Sequence, residues 1–242
     1  MKIKVDAHTH TIVSGHAYST LQEMARAASE KGIRVLGITE HGPAIPGSCH
    51  PIYFDNYNSI PRIMYGVKLL MGCEINILNK KGELDLTENT IKKLDIRIAG
   101  IHSLCWRGGT KEENTEAMIS VIKNPLIQII SHPGDGVAEL DFEPIIKAAL
   151  ENRTLLEINS NSLRPMRNMV EAYTNNLRIL KMCKEYNVPI ILGSDAHISF
   201  DIANYEHVQP LLKETEFPDE LIVNYDENYF LEYIANKYNE YN

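Results

Sequence analysis

No stretch of the sequence offers the run of about 18 apolar residues that a bilayer-crossing helix needs. Its start, Met1 to Asp6, alternates lysine with apolar residues where a signal peptide would carry an apolar core. A cytoplasmic protein with no membrane partner is the expectation. Cysteine is equally sparse: Cys49, Cys73, Cys105 and Cys183 lie far apart with no CxxC pair, so neither a disulfide framework nor a structural zinc clip is expected. The four read as buried or inert thiols. A basic excess is missing too, since 24 Lys and Arg stand against 32 Asp and Glu for a formal charge of −8. The cations are dispersed, which argues against general affinity for nucleic acid. There is no GxSxG elbow, P-loop or GxGxxG opening, so covalent catalysis and nucleotide-cofactor chemistry have no motif behind them. No internal repeat or low-complexity stretch marks a boundary, and residues 1–242 read as one domain.

What is present is a regular alternation. Short apolar runs give way to longer amphipathic segments, as when parallel strands alternate with crossover helices. Seven strands are expected: Ile3 to Ala7, Val35 to Thr39, Val67 to Glu74, Ile96 to Ile101, Leu126 to Ser131, Thr154 to Ile158 and Val188 to Gly193. Runs such as Leu126-Ile127-Gln128-Ile129-Ile130 suit strands covered on both faces. Thr20 with Glu23, and Thr110 with Glu113, are capping boxes that open helices, the first ending at Gly32. A third helix is expected from about Asn168 to Tyr186, and a tyrosine-rich closing helix from Asn224 to Asn242. Asn79-Lys80-Lys81-Gly82 reads as the turn of a β-hairpin between Ile75–Leu78 and Glu83–Leu86.

Seven of the nine histidines fall at or near the ends of these strands. His8 and His10 follow the first strand, His41 the second, His102 the fourth and His132 the fifth; Asp195 and His197 follow the seventh, and Glu74 ends the third. In a parallel barrel all such ends open on one face, so sequence separation becomes spatial convergence. The donor types suit transition metals. Residues two apart in an extended segment share a side, so His8 and His10 can hold one ion together, while Asp195 completes that shell and His197 serves a neighbour. Asp6 shares their side and either orients a ligand or bonds to backbone. Glu74 is the candidate bridge between two cations. His16, in a loop past His10, is open between ligand and surface residue on spacing alone.

The His8-x-His10 opening, Ile38-Thr39-Glu40-His41-Gly42-Pro43, Gly72-Cys73-Glu74, Ala99-Gly100-Ile101-His102, Ser131-His132-Pro133-Gly134 and Gly193-Ser194-Asp195-Ala196-His197 resemble, in this order, the PHP (polymerase and histidinol phosphatase) superfamily. Ser14 to Thr20 and Leu156-Glu157-Ile158-Asn159 resemble its YcdX-like probable phosphatases. The resemblance implies an α/β fold, a single distorted (β/α)7 barrel of TIM-like kind, and three divalent ions, zinc foremost with manganese or iron as alternatives. It implies His8, His10, Glu74 and Asp195 on one ion, Glu74, His102 and His132 on a second, and His16, His41 and His197 on a third. It also implies a homotrimer. Glu40 stands where relatives often carry Asp.

The implied chemistry is hydrolysis of a small-molecule phosphomonoester by in-line attack of a metal-bridging hydroxide. Clustered cations bring the pKa of bound water from 15.7 toward roughly 7. Glu74 and Asp195 carry the catalytic roles, with metal-bound water or Asp195 protonating the leaving group. Arg107, Arg164 and Arg167, and Asn159 and Asn161, sit in loops after strands and are candidates for substrate contact. The rival readings are a dedicated histidinol-phosphate phosphatase, a PHP-type nuclease and a noncatalytic metal-binding module.

Overall fold

The structure is a computed structural model that describes residues 2–239. In chain order its elements are β1 (Val5–Asp6), α1 (Leu21–Lys31), β2 (Val35–His41), α2 (Ile52–Asp55), β3 (Ile63–Met64), β4 (Val67–Asn76), α3 (Glu88–Ile91) and β5 (Ile96–Gly100). There follow α4 (Lys111–Ile122), β6 (Ile129–Ile130), α5 (Phe142–Glu151), β7 (Leu155–Asn159), α6 (Ala172–Tyr186), β8 (Ile190–Gly193), α7 (Gln209–Thr215) and α8 (Glu227–Asn239). Both capping boxes form, at Thr20 and Thr110. The last residues of the expected closing helix, 240–242, lie outside the described ones.

Seven strands pair in parallel in the order β1-β2-β4-β5-β6-β7-β8. The ends of this path meet: Thr9 forms a parallel bridge with Ala196, and His10 N–H donates to the Ala196 carbonyl at 2.9 Å. The sheet is thereby nearly closed into the expected distorted (β/α)7 barrel. Asn224 reinforces the seam where ladder pairs run out, donating to the Val5 and Leu192 carbonyls and accepting from Leu192 N–H.

Two hairpins join the parallel sheet, one of them additional to the expectation. β3 pairs antiparallel with β4 through Tyr65 and Gly66, both at positive φ (53° and 77°), the requirement of a tight two-residue hairpin. The expected hairpin around Asn79 to Gly82 forms as a short one: Gly82 N–H donates to the Asn79 carbonyl, Leu78 N–H to that of Glu83 and Asp85 N–H to that of Asn76, flanking the bridge between Ile77 and Leu84. At its base the Asp85 carboxylate accepts from the backbone N–H groups of Asn76 and Ala44, tying the hairpin to the loop after β2. Helix α5, between β6 and β7, was not anticipated.

The apolar runs divide by parity, because alternate residues of a strand face opposite sides. Val35, Leu70, Ile98, Ile129, Leu155 and Ile191 join one core, while Leu36, Leu69, Ala99, Ile130, Leu156 and Leu192 join the other. The second set packs under the helices. The first fills the barrel, where it meets Phe230, Tyr233 and Ile234 of α8. That helix plugs the mouth opposite the strand ends, and each large apolar side chain so buried contributes about 1.5–3 kcal/mol.

Candidate metal centre

The parity that builds the barrel core also builds the site above it. Along β4 the inward positions run Leu70, Gly72, Glu74; along β5 and its exit, Ile98, Gly100, His102; along β8 and its exit, Ile191, Gly193, Asp195. An apolar floor, a glycine layer and a layer of donors follow from one two-residue step. The glycine is required at Gly193, where a Cβ would overlap the Glu157 carboxylate. Gly15, at φ 83°, lets the loop carrying His16 pass against the Gly47 backbone. Two donors stand on positive-φ backbone without being glycine, His132 at 33° and Asp195 at 51°. Such costly conformations concentrate at functional sites.

All nine expected donors converge. Glu74 Oε1 lies 2.8 Å from His132 Nε2 and 3.2 Å from His102 Nε2, while Glu74 Oε2 lies 2.9 Å from His41 Nδ1 and 3.3 Å from His8 Nε2. Asp195 Oδ1 is 3.2 Å from His10 Nε2 and 3.4 Å from His197 Nδ1. His16 completes the set with its Nε2 3.1 Å from that of His197. Three groups have donor atoms within 4.8 Å of one another: His8, His10 and Glu74; His41, Glu74 and His102; and His10, His41 and His197. His41 therefore stands between two groups.

Hydrogen bonds fix which ring nitrogen faces inward. The Ser14 hydroxyl donates to Glu40 Oε2 at 2.6 Å, so its contact with His10 Nδ1 at 3.1 Å has His10 as donor. His8 Nδ1 is 2.7 Å from Glu157 Oε1, His132 Nδ1 is 2.9 Å from Asp135 Oδ2, and His197 Nδ1 is 2.9 Å from the Asp195 carbonyl. With those protons committed, the Nε2 atoms of His8 and His10 confront each other at 3.0 Å. Two imidazole lone pairs at that distance repel unless a proton or a metal cation lies between them. Glu74 Oε2, Asp195 Oδ1 and both ring nitrogens of His102 are buried without a hydrogen-bond partner. These donors fit a divalent metal cluster.

Electrostatics point the same way. Burial disfavours charge on Glu74 and Asp195, yet the surrounding histidines, His8 first, hold both carboxyls well below their ordinary range. Burial together with His41 and His197 pushes His10 well below the usual imidazole value, and burial takes His41 down to about 4. Burial also opposes charge on His8, but Glu157, Glu74 and Asp195 outweigh it and raise its pKa well above normal. The acids thus favour positive charge at the centre, and proton and metal compete for the same lone pairs.

Of the five residues expected at the substrate, Asn161 and Arg167 line the cavity in front of the cluster, and the Asn161 amide donates to Asp195 Oδ2 at 3.1 Å. Asn159 is fully buried and braces Glu157 and Asp195. Arg164 is committed to Asp201 at 2.6 Å, and Arg107 is exposed and does not line the cavity. Asp6 takes the backbone alternative, accepting from Ser194 and from Ala203 N–H. Glu40 anchors Thr11 and Ser14. The orienting roles of Glu157 and Asp135 were missed; Asp135 follows His132 by three residues, a spacing that offered a local signal. The cysteines are free thiols, and burial raises Cys49 and Cys105 to about 11 and Cys183 to about 12. Among the described residues no helix is long and apolar enough to cross a membrane.

Comparison with known proteins agrees with this geometry. The chain is 47% identical over 237 residues to the probable phosphatase of Clostridium novyi, covering 98% of this chain and 96% of that protein. It is 44% identical over 237 residues to the probable phosphatase of Acetivibrio thermocellus, covering 98% and 97%. Its fold matches the histidinol phosphate phosphatase of Lactococcus lactis, crystallised with zinc, L-histidinol and phosphate, at a TM-score of 0.60 and 20% identity, over 89% of this chain and 94% of that one. The PHP domain model matches residues 6–240, and the chain belongs to the PHP domain family.

Proposed function

We propose that this protein is a phosphatase that hydrolyses a small-molecule phosphomonoester at a centre of three divalent metal ions, zinc foremost, with manganese or iron also suited to the donors. One observation carries the proposal: His8 and His10 present facing Nε2 atoms at 3.0 Å after their Nδ1 protons are spent on Glu157 and Ser14. The names of the curated relatives support the reaction class. In this reading His8, His10, Glu74 and Asp195 hold one ion, Glu74, His102 and His132 a second, and His16, His41 and His197 a third. The nearness of His41 Nδ1 to Glu74 Oε2 draws that residue toward the second ion as well.

Bound ions of this kind supply a water-derived nucleophile at neutral pH and offset charge that builds on phosphoryl oxygens. The chain's own residues keep the arrangement stiff. Glu157 and Asp135 hold the rings of His8 and His132 by Nδ1. Asn159 and Asn161 hold Asp195 Oδ2, leaving Oδ1 to the histidines. A carboxyl held well below its ordinary range suits Asp195 to binding a cation rather than donating a proton.

Elemental analysis of protein purified without added metal, together with hydrolysis of 4-nitrophenyl phosphate, tests the proposal. Stoichiometric divalent metal and activity lost by more than about 100-fold in His132→Ala are expected. Full activity in that variant would remove His132 from the mechanism, and turnover of single-stranded DNA in place of phosphomonoesters would overturn the substrate class.

A further inference from the structure

Every carboxylate lining the cavity in front of the cluster is turned inward. Glu74 is buried with both oxygens facing histidine rings. Asp195 gives Oδ1 to histidines and Oδ2 to Asn159 and Asn161. Asp135 gives Oδ2 to the His132 ring and Oδ1 to Val137 N–H. The rest of the lining is mainly apolar, Ile45, Leu104, Val137 and Met169, with the neutral Ser103 and Ser162 and the cation of Arg167 beside them. Arg167 donates its Nε–H to Asn161 Oδ1 at 3.3 Å, makes no ion pair among the described residues, and lies close enough to His16 for its charge to disfavour imidazolium there. The cavity in front of the cluster has a volume of about 190 Å³.

We propose that the site selects phosphomonoesters whose leaving group is uncharged and apolar, and discriminates against esters of cationic amino alcohols. The inference rests on the phosphatase reading above and adds the substrate class. The phosphoryl dianion is drawn to the cluster and to Arg167, whose planar guanidinium suits phosphate oxygens. An apolar leaving group covers Leu104 and Met169 and releases their water. An ammonium in the same place meets no free carboxylate, loses hydration against the apolar wall and faces the Arg167 cation, so its desolvation goes uncompensated. Selectivity of this kind arises from the missing partner as much as from the fitted one.

Two primary alkyl esters of similar length separate charge from leaving-group reactivity: 3-phenylpropyl phosphate, neutral beyond its phosphate, and L-histidinol phosphate, cationic at its amine. With the metal-replete enzyme, kcat/KM is expected to favour the first at least about tenfold. Met169→Glu places a carboxylate on the wall and should move the ratio toward the cationic ester through its KM, whereas Met169→Gln, of similar shape, should not. Equal kcat/KM for the two esters in the wild-type protein, or preference for L-histidinol phosphate, would overturn the inference while 4-nitrophenyl phosphate hydrolysis leaves the phosphatase reading standing. Loss of that hydrolysis as well would overturn both.

Discussion

The Nδ1 atom of His8 lies 2.7 Å from Oε1 of Glu157, a residue 149 positions further along the chain. The other oxygen of the same carboxylate accepts the His132 backbone N–H at 2.8 Å. One side chain on β7 thus orients a donor after β1 and shapes the positive-φ backbone of a donor after β6.

Glu157→Gln keeps the size of the side chain but weakens the charge-assisted bond to His8. Residues that orient metal ligands typically contribute 10- to 100-fold to affinity, and a loss of about that size is expected in competition against a chromophoric chelator. Unchanged affinity would show that the His8 ring needs no partner behind it.

Withdrawal of the metal should destabilise the protein itself, because the cluster leaves buried oxygens of Glu74 and Asp195 and the His102 ring nitrogens without hydrogen-bond partners. An ion that binds only the folded state at 1,000 times its Kd adds about 4 kcal/mol. A melting temperature several degrees lower after exhaustive chelation, restored by zinc, is the expected result; an identical melt would count against resident ions.

Asn224 carries the seam between β1 and β8 with three hydrogen bonds to buried backbone groups. Asn224→Leu strands those groups, and each buried unsatisfied group costs about 1–3 kcal/mol. A loss of at least about 2 kcal/mol in urea unfolding is expected, with metal content retained in the fraction that stays folded. A neutral substitution would mean that the seam closes without it.

Lys237 of α8 is buried, donates to the Ile122 carbonyl at 2.9 Å and contacts Thr154, and burial lowers its pKa to about 7. Between pH 7 and the ordinary lysine value the unfolded chain binds more protons than the folded one, so this group makes stability rise with pH across that window. Wild type should gain urea resistance relative to Lys237→Met from pH 7 to pH 9.5. A constant offset between the two proteins would show that Lys237 titrates normally.

Several elements were legible because their causes are local. The capping boxes at Thr20 and Thr110 name their own helices, and the apolar runs name the seven parallel strands. Helix α5 was not legible in that way: Asp141 at its N-cap makes no side-chain hydrogen bond, and its start follows from packing. The β3–β4 hairpin turns on Tyr65-Gly66, which lacks the usual Asn or Asp signal.

Eight of the nine candidate donors were readable from their places at the ends of apolar strands, since a closed parallel sheet leaves strand ends nowhere to go but one mouth, whereas His16 stood open on spacing and came only from the resemblance. The partners of His10 and His132, Ser14 and Asp135, lie within four residues, but which ring nitrogen His8 turns inward was not readable, because that depends on Glu157 arriving from β7. The same holds for Arg164, drawn to Asp201, and for the apolar wall facing the cluster. Strand order and side-chain parity are properties of neighbouring residues along the chain and belong to the sequence alone. Proton placement on His8 and the lining of the cavity depend on partners brought together from distant positions, and only the folded barrel decides them.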